Sequence, residues 1–204
     1  MFLPNWTYDA PDPALRVFTL ANPFLPAIPD GGSVMEIGCC DTDFMAMVRK
    51  ENPTLTVTGI DQRKHNRDDH TGVILGDVLT YDFPPNSFDA VCSLSAIEHI
   101  GLGRYKDPID PDGDTKAMNR VREWLKPGGW CYFDVPYTPS GYFIFDANKC
   151  RCYDDRSLVE RFGPHEVIGV AEWHNKAFQP VRPTANQDWP KRPWWYIALL
   201  VRKP

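Results

Sequence analysis

The sequence lacks any run of about 18 consecutive apolar residues, the length that a membrane-spanning helix requires. Its first residues, MFLPNWTYDAPDP, lack a basic stretch followed by an apolar one, so we expect no secretory signal. The chain has 204 residues, of which 43% are hydrophobic and 24% charged, as in ordinary globular domains. We therefore expect a folded cytoplasmic protein without a membrane partner.

Proline is scarce in one part of the chain and abundant elsewhere. Between residues 30 and 83 only Pro53 occurs, although the whole chain contains 20 prolines. Because proline interrupts helices and central strands, the proline-poor block predicts regular elements and the proline-rich parts predict loops. We divide the chain into an N-terminal cap segment, residues 1–30, with a short helix beginning at Pro13, and a domain of residues 31–204.

Positive charge is in short supply, since 22 basic residues stand against 27 acidic ones. Residues 174–203 are the exception, with six basic side chains against Asp188. An acidic body argues against binding to a phosphate backbone, whereas the basic segment is compatible with an anionic substrate. Nucleic acid is thus a less favoured partner than a small molecule.

The sequence has few of the paired Cys and His residues that zinc sites use. Cys150 and Cys152 form one pair, and no second pair follows at the required spacing, so we predict no metal. Cys40, Cys92 and Cys131 fall in or beside apolar runs and are expected to be buried thiols. Reduced cysteines fit a cytoplasmic protein.

Apolar runs alternate with amphipathic segments along the chain. Seven runs predict strands, at residues 33–39, 55–61, 70–77, 88–97, 130–137, 165–173 and 194–202. Three segments predict helices, at residues 41–52, 114–126 and 154–163. Asp41 or Thr42 is the expected N-cap of the first helix and Asp114 that of the second, which PGG ends. The alternation predicts an α/β fold with a mainly parallel sheet covered on both faces.

Ligands of such sheets bind beyond the carboxyl ends of the strands, near the point where the strand order reverses. Gly38 permits a tight turn from strand to helix, which presents backbone N–H groups to a ligand. Asp61 ends the second strand, where an acidic side chain can accept hydrogen bonds from ribose hydroxyls. Asp77 ends the third strand, where a carboxylate can accept a hydrogen bond from the exocyclic amine of an adenine. An ordinary turn residue is the alternative at each position.

The fourth predicted strand leads directly into a polar cluster that contains Glu98, His99, Arg104 and Tyr105. Histidine is the side chain best suited to proton transfer near neutral pH, so His99 is the candidate base, with Glu98 as its orienter or as a second choice. Arg104 and Tyr105 are candidates for substrate contact, and Tyr137 is a weaker one. The competing interpretation is that these side chains tie loops together or pack against a turn.

Aromatic residues are concentrated in residues 173–196, among basic ones. Such a pattern occurs in sites that stack nucleic-acid bases or sugar rings. It also occurs where aromatic rings fill a core beneath a proline-rich loop. Packing, a substrate pocket and base stacking therefore remain three explanations of this segment.

The order of these elements resembles the class I S-adenosylmethionine (SAM)-dependent methyltransferases, over about residues 30–203. The resemblance implies a Rossmann-like, doubly wound sheet of seven mainly parallel strands with an antiparallel last strand, and SAM as the cofactor. It implies that EIGCCDTDF lines the methionine part, Asp61 holds the ribose, and Asp77 with Val78 meets the adenine. Cys40 and Thr42 replace two glycines of the family motif. The resemblance places these residues at the cofactor: Glu36, Gly38, Cys39, Cys40, Asp43, Asp61, Gln62, Asp77, Val78, Ser93 and Leu94.

The stretch EHIGLGRYKDP is similar to the EHIGLGRYGDP run of a subgroup of uncharacterised methyltransferase-like proteins, often linked to bacterial polysaccharide synthesis. Lys106 stands where that subgroup has glycine, and Cys150 where its Asn-x-His-Arg-type segment has histidine. The similarity implies O- or N-methylation of a small-molecule or saccharide-like acceptor. It leaves open whether the protein is a monomer or a homodimer.

Three other functions compete with this interpretation. A nucleic-acid base methyltransferase usually carries a proline-bearing tetrapeptide after the fourth strand, where this chain has SLSA. A module that binds SAM or another nucleotide without turnover would have the same cofactor residues. A nicotinamide-dependent dehydrogenase would carry the fuller G-x-G-x-x-G motif.

Overall fold

The computed structural model describes residues 25–64, 71–145, 150–172, 178–179 and 195–204. The predicted helix at Pro13 and most of the cap segment lie outside the described residues. Most of the aromatic segment 173–196 also lies outside them. No helix in the described ranges is long and apolar enough to cross a membrane.

Within these ranges the chain forms ten strands and three α-helices. The strands are β1 (Ser33–Ile37), β2 (Thr56–Asp61), β3 (Val73–Leu75), β4 (Phe88–Leu94), β5 (Leu125–Tyr137), β6 (Phe143–Phe145), β7 (Cys150–Cys152), β8 (Glu166–Glu172), β9 (Phe178–Gln179) and β10 (Trp195–Arg202). The helices are α1 (Phe44–Glu51), α2 (Gly113–Trp124) and α3 (Asp155–Phe162).

The main sheet has the strand order β3-β2-β1-β4-β5-β10-β8-β9. Strands β1 to β5 pair in parallel, whereas β10 is antiparallel to both β5 and β8. The predicted Rossmann-like sheet of seven mainly parallel strands with an antiparallel last strand is therefore confirmed. The two-residue strand β9 widens it at the β8 edge, and β6 and β7 form a separate antiparallel hairpin that the sequence pattern does not reveal.

The sheet is covered on both faces, which explains why its central strands are almost continuously apolar. Met35, Val91 and Phe133 belong to the core cluster that contains the apolar faces of α2 and α3. The side chains next to them in sequence, among them Val34 and Cys92, pack on the opposite face with α1. Alternate residues of each strand thus fill two separate cores.

Several predicted boundaries and caps are wrong for identifiable reasons. Helix α1 begins at Phe44, with Asp43 at its N-cap, because Cys39–Asp41 form a separate 3₁₀ turn. Cys40 in that turn is only half-buried, whereas Cys92 and Cys131 are buried as expected. The PGG segment lies inside β5, because Gly128 and Gly129 pair with Lys203 beyond the end of β10.

Asp114 is not the N-cap of α2, since Asp112 occupies that position. The carboxylate of Asp114 is fully buried and accepts hydrogen bonds from Arg161 and from the hydroxyl of Tyr153. A charge-assisted bond in the core is stronger than a solvent-exposed cap, which explains why the side chain turns inward. Helix α3 follows the prediction, with a capping box between Asp154 and Ser157.

Candidate active site

A cavity of about 440 Å³ lies at the carboxyl ends of β1, β2 and β4. The strand order reverses between β1 and β4, so the cavity occupies the position where doubly wound sheets bind ligands. Its walls come from the turns after these strands, from the β4–α2 loop (residues 95–112), from the β6–β7 hairpin and from β10. The volume is in the range of small-molecule sites.

Gly38 forms the turn at the end of β1. Its φ is 78°, a left-handed conformation that disfavours other residues, and its N–H donates to the carbonyl of Ile60 at 2.9 Å. A Cβ at this position would lie 2.4 Å from the Cβ of Ala96. The turn therefore brings the backbone against the end of β4 and leaves room in front of it for a ligand.

Asp61 ends β2 and is held rigidly at the edge of the cavity, where it is 8% exposed. Its Oδ2 accepts the backbone N–H of Cys40 at 2.9 Å, and its Oδ1 accepts that of Arg63 at 2.8 Å. The Arg63 guanidinium also contacts Asp61 and donates to Asp41 at 2.6 Å. These contacts hold the carboxylate in place, and a diol would bind Asp61 by replacing the two donors of the Arg63 side chain.

Arg63 contacts both the turns after β1 and β2 and the β4–α2 loop. Its guanidinium carbon lies 4.5 Å from the centre of the Tyr105 ring, within the range of a cation–π contact. Tyr105 belongs to the β4–α2 loop, whereas Asp41 and Asp61, which Arg63 also binds, belong to the turns after β1 and β2. Arg63 was not among the predicted site residues, because its aromatic partner lies far along the sequence.

Glu36 lies beneath the Gly38 turn and has no exposed surface. Thr42 Oγ1 donates a hydrogen bond to Glu36 Oε1, while Oε2 accepts none in the described part of the chain. Burial raises the pKa of the Glu36 carboxyl to about 8, and the nearby charge of Asp61 adds to the increase. Glu36 therefore supports the turn from below and does not line the cavity.

His99 ends a 3₁₀ turn, Ile97–His99, and its ring lies in the cavity wall with 9% of the residue exposed. Its Nε2 is 3.5 Å from Oε1 of the buried Glu98, and its Nδ1 is 3.5 Å from Nη1 of Arg104. The ring of Tyr105 meets it edge to face at 5.9 Å. The two ring nitrogens of His99 thus face a carboxylate and a guanidinium within the lining of the cavity.

The fold brings half of the predicted site residues into the lining of one cavity. Those lining the cavity are Gly38, Asp61, Gln62, Val78, Leu94, His99, Arg104 and Tyr105. Those outside this lining are Glu36, Cys39, Cys40, Asp43, Asp77, Ser93, Glu98 and Tyr137. Asp77 lines a second cavity of about 500 Å³, which shares Gln62, Ile100 and Asp107 with the first. Tyr137 is 2% exposed and packs in the core between the sheet and α2.

Ser95 is a cavity residue that sequence reasoning missed. It has a φ of 43°, unusual for a residue other than glycine, and its N–H donates to Asp134 Oδ1 at 2.7 Å. Asp134 is fully buried in β5. An aspartate inside an apolar strand was the available signal, because a buried carboxylate requires donors. Phe145, Cys150 and Tyr196 also line the cavity and come from segments whose position depends on long-range packing.

The donors and acceptors suit a nucleoside-type cofactor. The Gly38 turn contributes to the cavity lining, and the carboxylate of Asp61 is the type of acceptor that binds ribose hydroxyls in doubly wound folds. No group of three His, Cys, Asp or Glu side chains able to hold a metal ion occurs in the described ranges.

The chain is similar to known proteins in sequence and in fold, in each case at low sequence identity. An uncharacterised methyltransferase of Mycobacterium tuberculosis is 24% identical over 158 residues, covering 72% of this chain and 77% of the relative. A Burkholderia thailandensis 1,6-didemethyltoxoflavin-N1-methyltransferase, solved with its substrate and S-adenosylhomocysteine, has a TM-score of 0.62 at 16% identity and covers 94% of this chain and 76% of its own. The cyclase SpnF has a TM-score of 0.64 at 17% identity and covers 94% and 80%.

The two solved structures establish the fold and not the activity, since one is a methyltransferase and the other a cyclase. A family match covers more than half of the chain and includes α1, the strands β2 to β8 and the whole cavity-forming loop between β4 and α2. On this match, over residues 44–178, the chain belongs to the family described as "Caenorhabditis protein of unknown function, DUF268".

Proposed function

We propose that this chain is a SAM-dependent methyltransferase that acts on an oxygen or nitrogen of a small-molecule or saccharide-like acceptor. The observation that carries the proposal is the composition of the cavity wall. The same cavity is lined by Gly38 and Asp61, from the ends of β1 and β2, and by His99, Arg104 and Tyr105, from the β4–α2 loop. The methyltransferase names of the mycobacterial relative and of the Burkholderia protein support it.

The residues on the cofactor side would mainly bind and orient SAM, because the cofactor itself supplies the reactive group. Bound SAM supplies an activated methyl group on a sulfonium, and transfer requires alignment of nucleophile, methyl and sulfur. Asp61, fixed by Cys40 and Arg63, would accept hydrogen bonds from the ribose. Val78 in the first cavity and Asp77 in the second would meet the adenine, and Gln62 connects the two cavities.

The acceptor side offers a base and two contact residues. His99 would take the proton of an acceptor hydroxyl or ammonium, and Glu98, 3.5 Å from its Nε2, would orient the ring and stabilise its charged form. Tyr105 and Arg104 would contact the acceptor; the ring of Tyr105 is half-buried, and the guanidinium groups of Arg63 and Arg104 lie over it. The acidic composition of the chain argues against nucleic acid as the acceptor.

A binding measurement followed by a transfer assay tests the proposal. Calorimetry with SAM and with S-adenosylhomocysteine should show binding to the wild-type chain. The chain is then incubated with methyl-labelled SAM and a panel of monosaccharides, nucleotide sugars, small amines and oligonucleotides. We expect label in a sugar or small-molecule fraction.

The possible outcomes separate the alternatives. Absence of SAM binding would refute the cofactor assignment and the proposal with it. Binding without labelling of any acceptor would favour a module without turnover. Labelling of oligonucleotides alone would identify a base methyltransferase.

A further inference from the structure

Arg151, in β7, has no exposed surface. Its guanidinium lies against the base of the β4–α2 loop, where residues 98–101 come close to residues 110–113; we call this base the neck of the loop. Its Nη1 donates hydrogen bonds to the carbonyls of Ile100, at 2.6 Å, and of Glu98, at 3.4 Å. Its Nη2 donates to the carbonyls of Asp110, at 3.0 Å, and of Pro111, at 3.2 Å. Nη1 thus binds the first limb of the loop, residues 98–101, and Nη2 binds the second limb, residues 110–113.

Two glycines show how closely the limbs approach at this neck. A Cβ on Gly101 would lie 2.3 Å from the carbonyl oxygen of Asp110, and a Cβ on Gly113 would lie 2.6 Å from that of Ile100. The N–H of Asp110 also donates to the carbonyl of Gly101 at 2.8 Å. The limbs are therefore clamped together where Arg151 binds, and the segment between them carries Arg104 and Tyr105 to the cavity.

The charge of Arg151 is balanced by Asp114, whose Oδ1 lies 3.6 Å from its Nε. Asp114 is also fully buried and accepts a hydrogen bond from Arg161 at 2.7 Å. Burying a guanidinium is costly unless its donors are satisfied. Here the planar fork matches carbonyls on two limbs at once, which the single ammonium of lysine cannot do.

We infer that Arg151 is a positioning residue that clamps the neck of the β4–α2 loop and thereby holds His99 and Arg104 in the cavity wall. The part of this inference that concerns the acceptor rests on the proposed function. The clamp itself is a property of the loop and is testable without an acceptor. Arg151 does not line the cavity, so it acts through the loop and not on the ligand.

Hydrogen exchange in the full chain tests the clamp in Arg151→Lys. Because local opening sets the exchange rate, we expect amides of residues 97–111 to exchange about tenfold faster or more than in wild type. Exchange in β4 and β5 should stay near the wild-type rate. The NMR titration midpoint of the His99 ring should move, and the affinity for S-adenosylhomocysteine should stay within about twofold, because the Gly38 turn and Asp61 do not contact Arg151.

Arg122→Lys is the matched control, because Arg122 donates to the carbonyl of Phe162 and makes no contact of this kind with the loop. It should leave the exchange of residues 97–111 and the His99 titration unchanged. Unchanged loop exchange in Arg151→Lys, or an equal increase in every segment, would overturn the inference. Failure of the wild type to bind S-adenosylhomocysteine would instead refute the proposed function and leave the clamp standing.

If Arg151→Lys does not fold, hydrogen exchange of the wild-type chain at low urea concentrations tests the clamp instead. Amides of residues 97–111 that open together with β7 as one unit would support the clamp. Amides that open at much lower free energy than β7 would overturn it, because the loop would then move independently of Arg151.

Discussion

Gly38 and Ala96, which both line the cavity, are in contact: a Cβ added to Gly38 would lie 2.4 Å from the Cβ of Ala96. This contact joins the turn after β1, part of the proposed cofactor site, to the start of the β4–α2 loop, which carries the proposed acceptor residues. Ser95, next to Ala96, is held at a φ of 43° by its hydrogen bond to Asp134. The two halves of the site are therefore positioned by direct packing and not by a flexible connection.

Gly38→Ala should lower both stability and cofactor affinity. The substitution places a Cβ at a positive φ and against Ala96, and each effect costs of the order of 1–3 kcal/mol. We expect a lower free energy of unfolding in urea and at least about a tenfold loss of affinity for S-adenosylhomocysteine, equal to about 1.4 kcal/mol.

Gly31→Ala separates the two effects. Gly31 has a φ of 76°, close to that of Gly38, but a Cβ there meets nothing within 4 Å. It should cost stability through φ alone and leave affinity unchanged. The double variant Gly38→Ala with Ala96→Gly should recover part of the loss, and no recovery would show that the contact with Ala96 is unimportant.

Asp61→Ala should weaken binding of S-adenosylhomocysteine by about 1–3 kcal/mol, the scale of hydrogen bonds left unmade. Calorimetry measures the effect directly. Asp30→Ala is the control, because Asp30 is an exposed aspartate that accepts a hydrogen bond from Thr54 and lines neither cavity. Equal affinity in Asp61→Ala and wild type would rule out the ribose contact.

Glu36→Gln should change how stability depends on pH. The pKa of Glu36 rises from 4.5 to about 8 on folding, so the folded state holds this proton more tightly than the unfolded state. Its stabilising contribution is complete below pH 4.5 and decreases as pH rises towards 8, by up to about 1.4 kcal/mol per pH unit.

Urea unfolding at several pH values checks this expectation. The free energy of unfolding of Glu36→Gln, relative to wild type, should increase between pH 4.5 and about 8, because the variant lacks the titrating group. Glu51→Gln, on an exposed glutamate at the end of α1, should follow the wild-type curve. A constant difference between Glu36→Gln and wild type across this range would contradict the raised pKa.

His99→Gln should lower methyl transfer to any acceptor that the panel yields by about 100-fold, the typical contribution of a positioned base. Affinity for S-adenosylhomocysteine should change little, since the proposed cofactor contacts come from the turns after β1 and β2 and not from His99. His165→Gln is the control, because His165 bonds the carbonyl of Gly163 away from the cavity. An unchanged rate in His99→Gln would make His99 a structural residue.

The strands of the sheet were predicted from short apolar runs in the sequence. The seven strands were found because buried strands are short apolar runs, and α3 was found with its cap because Asp154 and Ser157 interact within one turn. The β6–β7 hairpin was missed because its three-residue strands are too short to show a period. The cap of α2 was wrong because Asp114 binds Arg161, which is 47 residues away.

The sequence by itself determined which residues end the central strands, and hence that Gly38, Asp61 and His99 would meet at one edge of the sheet. That follows from strand period and parallel connection, which are properties of short segments. Tertiary structure decided which side chains support them. Ala96 under Gly38, Arg63 between Asp61 and Tyr105, and Arg151 beneath the β4–α2 loop are contacts between distant segments, and they exist only once the two cores have packed.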